Sequence, residues 1–298
     1  MALNINDPPR AAQRYRTPEL LNDIRLLDLL ELSGTTIQAS RLLSLSQPTV
    51  SRRYRALAQD FGLLREPRSL KRCRYGSSTA MRLLRLGSRA HRLAAGVARV
   101  GSDPLHLHLL SHCDWLLPTP VRYRRVDEWA ELVRQGVLDA ALISGIELQS
   151  ARDTDTSGLR LLELGSLCLA LGVKAAVTKG KTHRNPPVQA VLVPQRGLAP
   201  GLHRALLSRG LRLRTVSNNC TTPEHWLERL AGSDLALPLD PAACVEGQWA
   251  QCLSAIALTP DLCSPLWVML PRSDGLAAVL TRTLEHLQGL QALMSKPI

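Results

Sequence analysis

Seven cysteines, Cys73, Cys113, Cys168, Cys220, Cys244, Cys252 and Cys263, lie scattered through the chain, odd in number and with no Cys-x-x-Cys pair. That excludes a disulfide framework and a zinc ribbon, and reduced thiols in a cytoplasmic protein are the expectation. Also missing are a Gly-x-Ser-x-Gly elbow, a phosphate loop ending in Gly-Lys-Ser/Thr, and a Gly-x-Gly-x-x-Gly fingerprint. No enzyme class therefore has positive support, and no cofactor is expected. A long uninterrupted apolar run is absent too. Leu159 to Val177 comes nearest, but Arg160, Glu163 and Lys174 break it and it contains Gly165 and Gly172. It makes no plausible membrane-spanning helix, and the polar segment Met1 to Pro9 does not read as a signal peptide.

What is present is positive charge, concentrated at one end. Residues 1–100 hold 18 Lys/Arg against 7 Asp/Glu, while the rest of the chain holds 19 against 18. A basic end on a nearly neutral body points to a polyanion, nucleic acid ahead of a membrane surface. With 298 residues, 45% of them hydrophobic, the chain can form two or three packed units.

Residues 1–15 read as a loose tail. A first helix is predicted from an N-cap at Thr17, with Pro18 at its first position and Leu20, Ile24, Leu27 and Glu31 at helical spacing up to Gly34. Thr35 or Thr36 then caps a short helix carrying Ile37, Ala39, Leu42 and Leu43. Ser44-Leu45-Ser46 makes a tight turn, and a third helix runs from about Gln47 to Asp60. Two short helices joined by a three-residue turn, with another helix before them, have the layout of a helix-turn-helix. Ser46 can cap the third helix and Pro48 is tolerated in its first turn, leaving Gln47, Thr49, Arg52, Arg53 and Arg55 to reach bases or phosphates.

The run Gly34 to Ser51, with its Ser46-Gln47-Pro48-Thr49-Val50-Ser51 core, and the later Leu57 and Gly62, resembles the DNA-binding domain of LysR-type transcriptional regulators. Thr36-Ile37, Ala58 and Arg65-Glu66 depart from the family pattern at packing positions. The resemblance places Thr35, Thr36, Ser46, Gln47, Pro48, Thr49, Ser51, Arg52, Arg53 and Arg55 at double-stranded DNA. In the place of the wing, Arg68, Lys71, Arg72 and Arg74 suit backbone or minor-groove contacts, which position a protein without reading sequence.

From Ser78 to Val97 the pattern is again helical, and Leu83, Leu86, Ala90, Leu93 and Val97 form a heptad seam with Arg82, Arg85, Arg89 and Arg92 off it. The helix either packs on its own domain or, as the resemblance implies, pairs with its twin, so that two recognition helices read two half-sites.

After Gly101 to Pro104, read as a hinge, strand and helix signals alternate. A strand is expected at Leu105–Leu110, a helix at Val126–Gln135, a buried strand ending at Ile143 and a final helix from Leu276 to about Leu293. Gly136 to Ile143, Leu227 to Pro238 and Ser264 to Arg272 resemble parts of the LysR effector domain, which folds like periplasmic binding proteins. The expected fold is thus an α+β multidomain chain: tail 1–15, winged helix-turn-helix 16–76, linker helix 77–100, and a two-lobed α/β domain 101–298. Lobe I would take about 103–168 and 265–298, lobe II about 169–264.

The resemblance implies a small effector in the inter-lobe cleft, near Ser144, Gly145, Gln195, Arg196, Asn219, Thr221 and Pro238, where helix N-termini suit an anion. Thr221 and Thr222 can instead cap the helix begun by Pro223. Between the first strand and Gly136 the chain is some fifteen residues shorter than the family leads one to expect, with His112 to Pro120 leaving room for little more than one turn.

His106, His108, His112 and Cys113 lack a nearby carboxylate at ligand spacing, and alternate strand positions explain them better than a metal. Cys220, with Arg214 upstream, reads as an inert thiol ahead of a redox sensor. The expectation is a bacterial cytoplasmic transcription regulator, a homodimer or homotetramer on DNA, modulated by a small molecule. The alternative is a DNA-binding protein whose C-terminal domain only oligomerises or docks a partner.

Overall fold

The computed structural model describes residues 11–63, 73–76, 78–174, 188–216, 223–230, 234–245, 252–272 and 276–294. The chain opens with α1 (Ala11–Arg14) and a 3-10 turn (Glu19–Leu21), then α2 (Asn22–Ser33), α3 (Thr36–Leu43), α4 (Gln47–Asp60) and α5 (Thr79–Ala94). β1 (Val100–Gly101) and a second 3-10 turn (Leu107–Leu110) lead to α6 (Val126–Arg134), β2 (Ala140–Ser144), α7 (Gly145–Ser150) and β3 (Leu159–Lys174). Then come β4 (Ala190–Val193), α8 (Pro200–Leu207), β5 (Leu213–Thr215), α9 (Pro223–Leu230), β6 (Leu235–Leu239), α10 (Ala242–Val245), β7 (Leu253–Pro271) and α11 (Ala278–Met294).

One seven-stranded mixed sheet, ordered β1-β2-β7-β3-β6-β4-β5, runs through the C-terminal part. Its spine is the antiparallel pair β3 and β7, whose register holds from Leu159↔Pro271 to Lys174↔Leu253 with two shifts. Leu164 and Leu167 of β3 belong to the core under α11, whereas Leu169, Leu171 and Val173 pack into the core with α8. The same strand thus crosses from one lobe to the other. The fold is an N-terminal helix-turn-helix, a linker helix and a two-lobed α/β domain. Among the described residues no helix is long and apolar enough to cross a membrane.

Cys168 and Cys263 stand opposite one another at the crossing and are joined in a disulfide, which corrects the expectation of reduced thiols throughout. Cys73, Cys113, Cys244 and Cys252 are free.

Three other expectations need correction. The supposed tail contains α1, anchored by the Ala12 N–H donating to the Asp114 carbonyl (3.1 Å). Thr17 caps nothing; the 3-10 turn starts after Pro18 and leaves Leu20 90% exposed. Leu105–Leu110 is a turn and not a strand, because the Asp103 carboxylate accepts the N–H groups of Leu105 (2.9 Å) and His106 (3.3 Å) and folds the chain locally.

α2 explains how the two parts meet. Every residue from Leu26 to Ser33 is buried, and a helix apolar on several sides must be enclosed by several partners. Ile24, Leu27 and Leu30 pack in the helix-turn-helix core with Ala39, Val50 and Leu57. Leu29 and Leu32 pack instead with Trp129, Val133 and Leu138 of the first lobe. Arg122 and Arg124, on the extended chain before α6, donate to the carbonyls of Ser33 (2.7 Å), Glu31 (3.0 Å) and Leu32, closing the C-terminus of α2.

Candidate functional site

Local chemistry builds the helix-turn-helix surface. Thr35 caps α3 by accepting the Gln38 N–H (3.2 Å), and Ser46 caps α4 by accepting the Thr49 N–H (3.3 Å). Between the two helices Ser44 takes a left-handed φ of 54°. Gln47 is held at the tip by donating to Thr36 Oγ1 and Ser51 Oγ, each at 3.0 Å. Ser46, Gln47 and Pro48 are exposed and Thr49 and Ser51 half-buried. Arg52 and Arg55 point from α4 into solvent with no ion pair among the described residues. Arg53 differs: its guanidinium meets Asp23 at 2.5 Å. The sequence reading passed over Arg41, which is exposed on α3 beside this surface. Arg68, Lys71 and Arg72 lie outside the described residues. Arg74 is half-buried, its N–H donating to Glu31 (2.9 Å) and its guanidinium 5.7 Å from the Tyr75 ring centre.

The linker helix turns two of its arginines fully inward and leaves Arg82 exposed. Arg85 and Arg92 are fully buried, while Leu83 is 64% exposed and Ala90 also faces solvent. Leu86 and Leu93 are half-buried, and Val97 lies beyond the helix, fully enclosed. Arg85 and Arg99 both reach Asp28 of α2 at 3.0 Å, and Arg92 and Arg89 reach Asp139 at 3.0 and 3.3 Å. Asp139 also accepts the Arg99 N–H (2.6 Å). Helix-turn-helix, linker and first lobe are therefore joined through two buried aspartates. Burial pushes the Glu31 carboxyl up to about 7, against the pull of Arg85 and of the Tyr75 and Arg74 N–H groups.

The expected effector cleft is closed by the protein's own groups. The Glu147 carboxylate of α7 accepts the Gly201 (3.0 Å) and Leu202 (2.7 Å) N–H groups at the N-terminus of α8. It occupies the position an anionic ligand would take. A side chain at Gly201 would lie 2.2 Å from the Ile146 carbonyl oxygen, so the two helices touch backbone to backbone. Ser144 bonds Ser264 (2.9 Å), and a side chain at Gly145 would strike Pro265. Across the crevice His108 meets Asp240 (3.1 Å), next to His106 paired with Asp103 (2.8 Å). About 10 Å³ remains beside Leu105, Tyr123, Trp226 and Pro238, while a recess of about 270 Å³ lies on the other side of Glu147, against Asp127, Gly197 and Pro200. Gln195 and Arg196 are exposed, and Asn219 and Thr221 lie outside the described residues. Burial raises Glu147 to about 7, its two N–H bonds opposing the shift.

A search of solved structures returns regulators of the LysR family. The LysR-family regulator CbnR is 16% identical, with 90% of this chain and 98% of that one covered at a TM-score of 0.49. HinK from Pseudomonas aeruginosa is 13% identical, with 92% and 99% covered and a TM-score of 0.45. DarR from Vibrio fischeri, solved in complex with DNA, is 15% identical, with 90% and 98% covered and a TM-score of 0.44. No family model and no curated protein matches the chain. At these scores the likeness carries no argument about function, which has to come from this chain's own side chains.

Those side chains divide the expected site residues into two sets. Thr35, Thr36, Ser46, Gln47, Thr49 and Ser51 come together within two turns of helix, linked by direct hydrogen bonds or by caps. The effector set does not come together: Ser144, Gly145 and Pro238 are buried in packing while Gln195 and Arg196 face solvent. Sequence reasoning missed the charges that join the halves. Asp28 carries no signal in the sequence, and only its zero exposure between two arginines reveals its role.

Proposed function

We propose that this chain is a sequence-specific transcription regulator of LysR type that binds double-stranded DNA as a homodimer or homotetramer. The observation that carries this reading is the exposed, self-capped surface of α3 and α4. Gln47 and Thr49 sit at its tip, flanked by the solvent-facing Arg52 and Arg55. A helix of that size docks in the major groove, where amide and hydroxyl groups read base edges and arginines neutralise phosphate. The outward Leu83 and Ala90 of α5 give a second copy an apolar face, leaving the arginines for the fold.

The inter-lobe crevice favours the reading in which the two-lobed domain does not sense a ligand there, since Glu147 already fills the anion position. The test is a footprint across a salt series on the DNA upstream of the chain's own gene. Phased half-sites about one or two helical turns apart are expected. Arg52→Ala with Arg55→Ala should reduce the salt slope by about 2, roughly 0.9 per lost phosphate contact. Uniform coating with no phased protection would end the regulator reading. Sedimentation of Leu83→Glu, expected to shift towards monomer, tests the pairing face.

A further inference from the structure

A second crevice, between the helix-turn-helix and the first lobe, is open. It encloses about 650 Å³, within the range of small-molecule sites. The segment before α2 supplies Tyr15, α2 supplies Arg25 and Leu29, and the opposite wall is Arg99, Leu110 and Leu117 of the first lobe. Its charge is lopsided. Arg99 is 4% exposed, and its Nε has no hydrogen-bond partner. Arg25 is half-buried and makes no ion pair among the described residues. Behind Arg99 the buried cluster sets Arg85, Arg89, Arg92 and Arg99 against Asp28, Asp139 and Glu31, so cations outnumber acids. Asp114, at the rim, is the one carboxylate lining the cavity among the described residues. The Arg99 guanidinium is held by Asp28 (3.0 Å) and the Val137 carbonyl (3.1 Å), so Arg25 is the cation on this wall left for an acceptor in the cavity.

We propose that this cavity binds a small organic carboxylate with an apolar body. The carboxylate accepts from Arg25, with Arg99 adding positive charge to the wall, and the hydrocarbon lies on Leu29, Leu110 and Leu117. Because its walls come from both parts of the chain, the bound molecule bridges them and holds the helix-turn-helix against the first lobe. The proposal stands on the cavity and its charges, independently of the DNA reading, and is measured without DNA.

The probes are octanoate and phenylacetate, with octanamide as the uncharged counterpart, on the full chain by calorimetry and thermal shift. At least one anion should bind with millimolar or tighter affinity and raise Tm, with octanamide at least about tenfold weaker. Arg25→Ala should cost roughly five- to tenfold in affinity, and Leu117→Trp, which fills the space, should abolish binding while keeping the native melting transition. Arg25→Lys should recover part of the loss. Absence of binding by both anions at about 5 mM would overturn the proposal. So would binding that ignores Arg25→Ala and Leu117→Trp, or binding in which octanamide equals octanoate.

Discussion

The two crevices of this molecule start from similar materials and end differently. Between the lobes, a helix N-terminus meets an acid from the facing lobe, a glycine lets the backbones touch, and the space is split into about 10 Å³ beside Trp226 and about 270 Å³ beside Pro200. Between the helix-turn-helix and the first lobe, Arg25 and Arg99 both line the gap, no described ion pair spans it, and about 650 Å³ stays open. A crevice closes where its two walls carry groups that satisfy each other, and stays open where they carry none that do. Pocket position in a two-lobed domain is thus decided by where complementary partners run out.

Breaking the wall of the open crevice should have the largest effect. Asp28→Ala leaves Arg85 and Arg99 buried without their shared carboxylate, and should cost on the order of 3–5 kcal/mol in denaturant unfolding. A cost below about 1 kcal/mol would mean that water reaches this cluster. Next comes the closed crevice: Gly201→Ala forces a methyl against the Ile146 carbonyl. It should destabilise by about 1–3 kcal/mol and part α7 from α8, read as faster amide exchange of Gly145 to Ser150.

The acid in the closed crevice sharpens the comparison through pH. Burial raises Glu147 from an ordinary 4.5 to about 7, so the folded chain holds a proton that the unfolded chain releases across that window. Stability from this group is full below pH 4.5 and falls as pH rises to about 7. Glu31 titrates with the same sign. Glu147→Gln should therefore flatten part of the decline between these limits, leaving the Glu31 share. An unchanged Tm profile across that pH range would show that the carboxylate is solvated. The smallest effect belongs to Leu117→Trp without ligand, where empty space accepts the ring and stability should change by less than about 1 kcal/mol.

Much of the fold was legible because it is written in short-range bonds. Thr35 and Ser46 cap their helices three residues on, and the predicted Gln47–Asp60 helix agrees with the structure. α6, β2, β6 and α11 likewise follow their local patterns. Leu105–Leu110 misled because alternating Leu and His imitates a strand, although Ser-Asp-Pro just before it carried a turn signal. The heptad on α5 was legible as a pattern but its burial was not. Its leucines were expected either to pack on the chain's own domain or to pair with a twin; Leu83 faces solvent, while Arg85 and Arg92 are buried because Asp28 and Asp139 lie opposite.

By itself, then, the sequence determined α3 to α6 and α11, the caps at Thr35 and Ser46, the helix-turn-helix, the alternating order of the C-terminal part and the basic end. Each depends on periodicity or on hydrogen bonds spanning a few residues. The tertiary structure alone decided that Arg85 and Arg92 lie on the buried face of the linker helix, that Cys168 meets Cys263 across 95 residues, that Glu147 closes on α8 and that the crevice beside α2 stays open. Those outcomes depend on which distant charge or backbone arrives at a given point, and burying a charge is tolerable only where its partner has arrived as well.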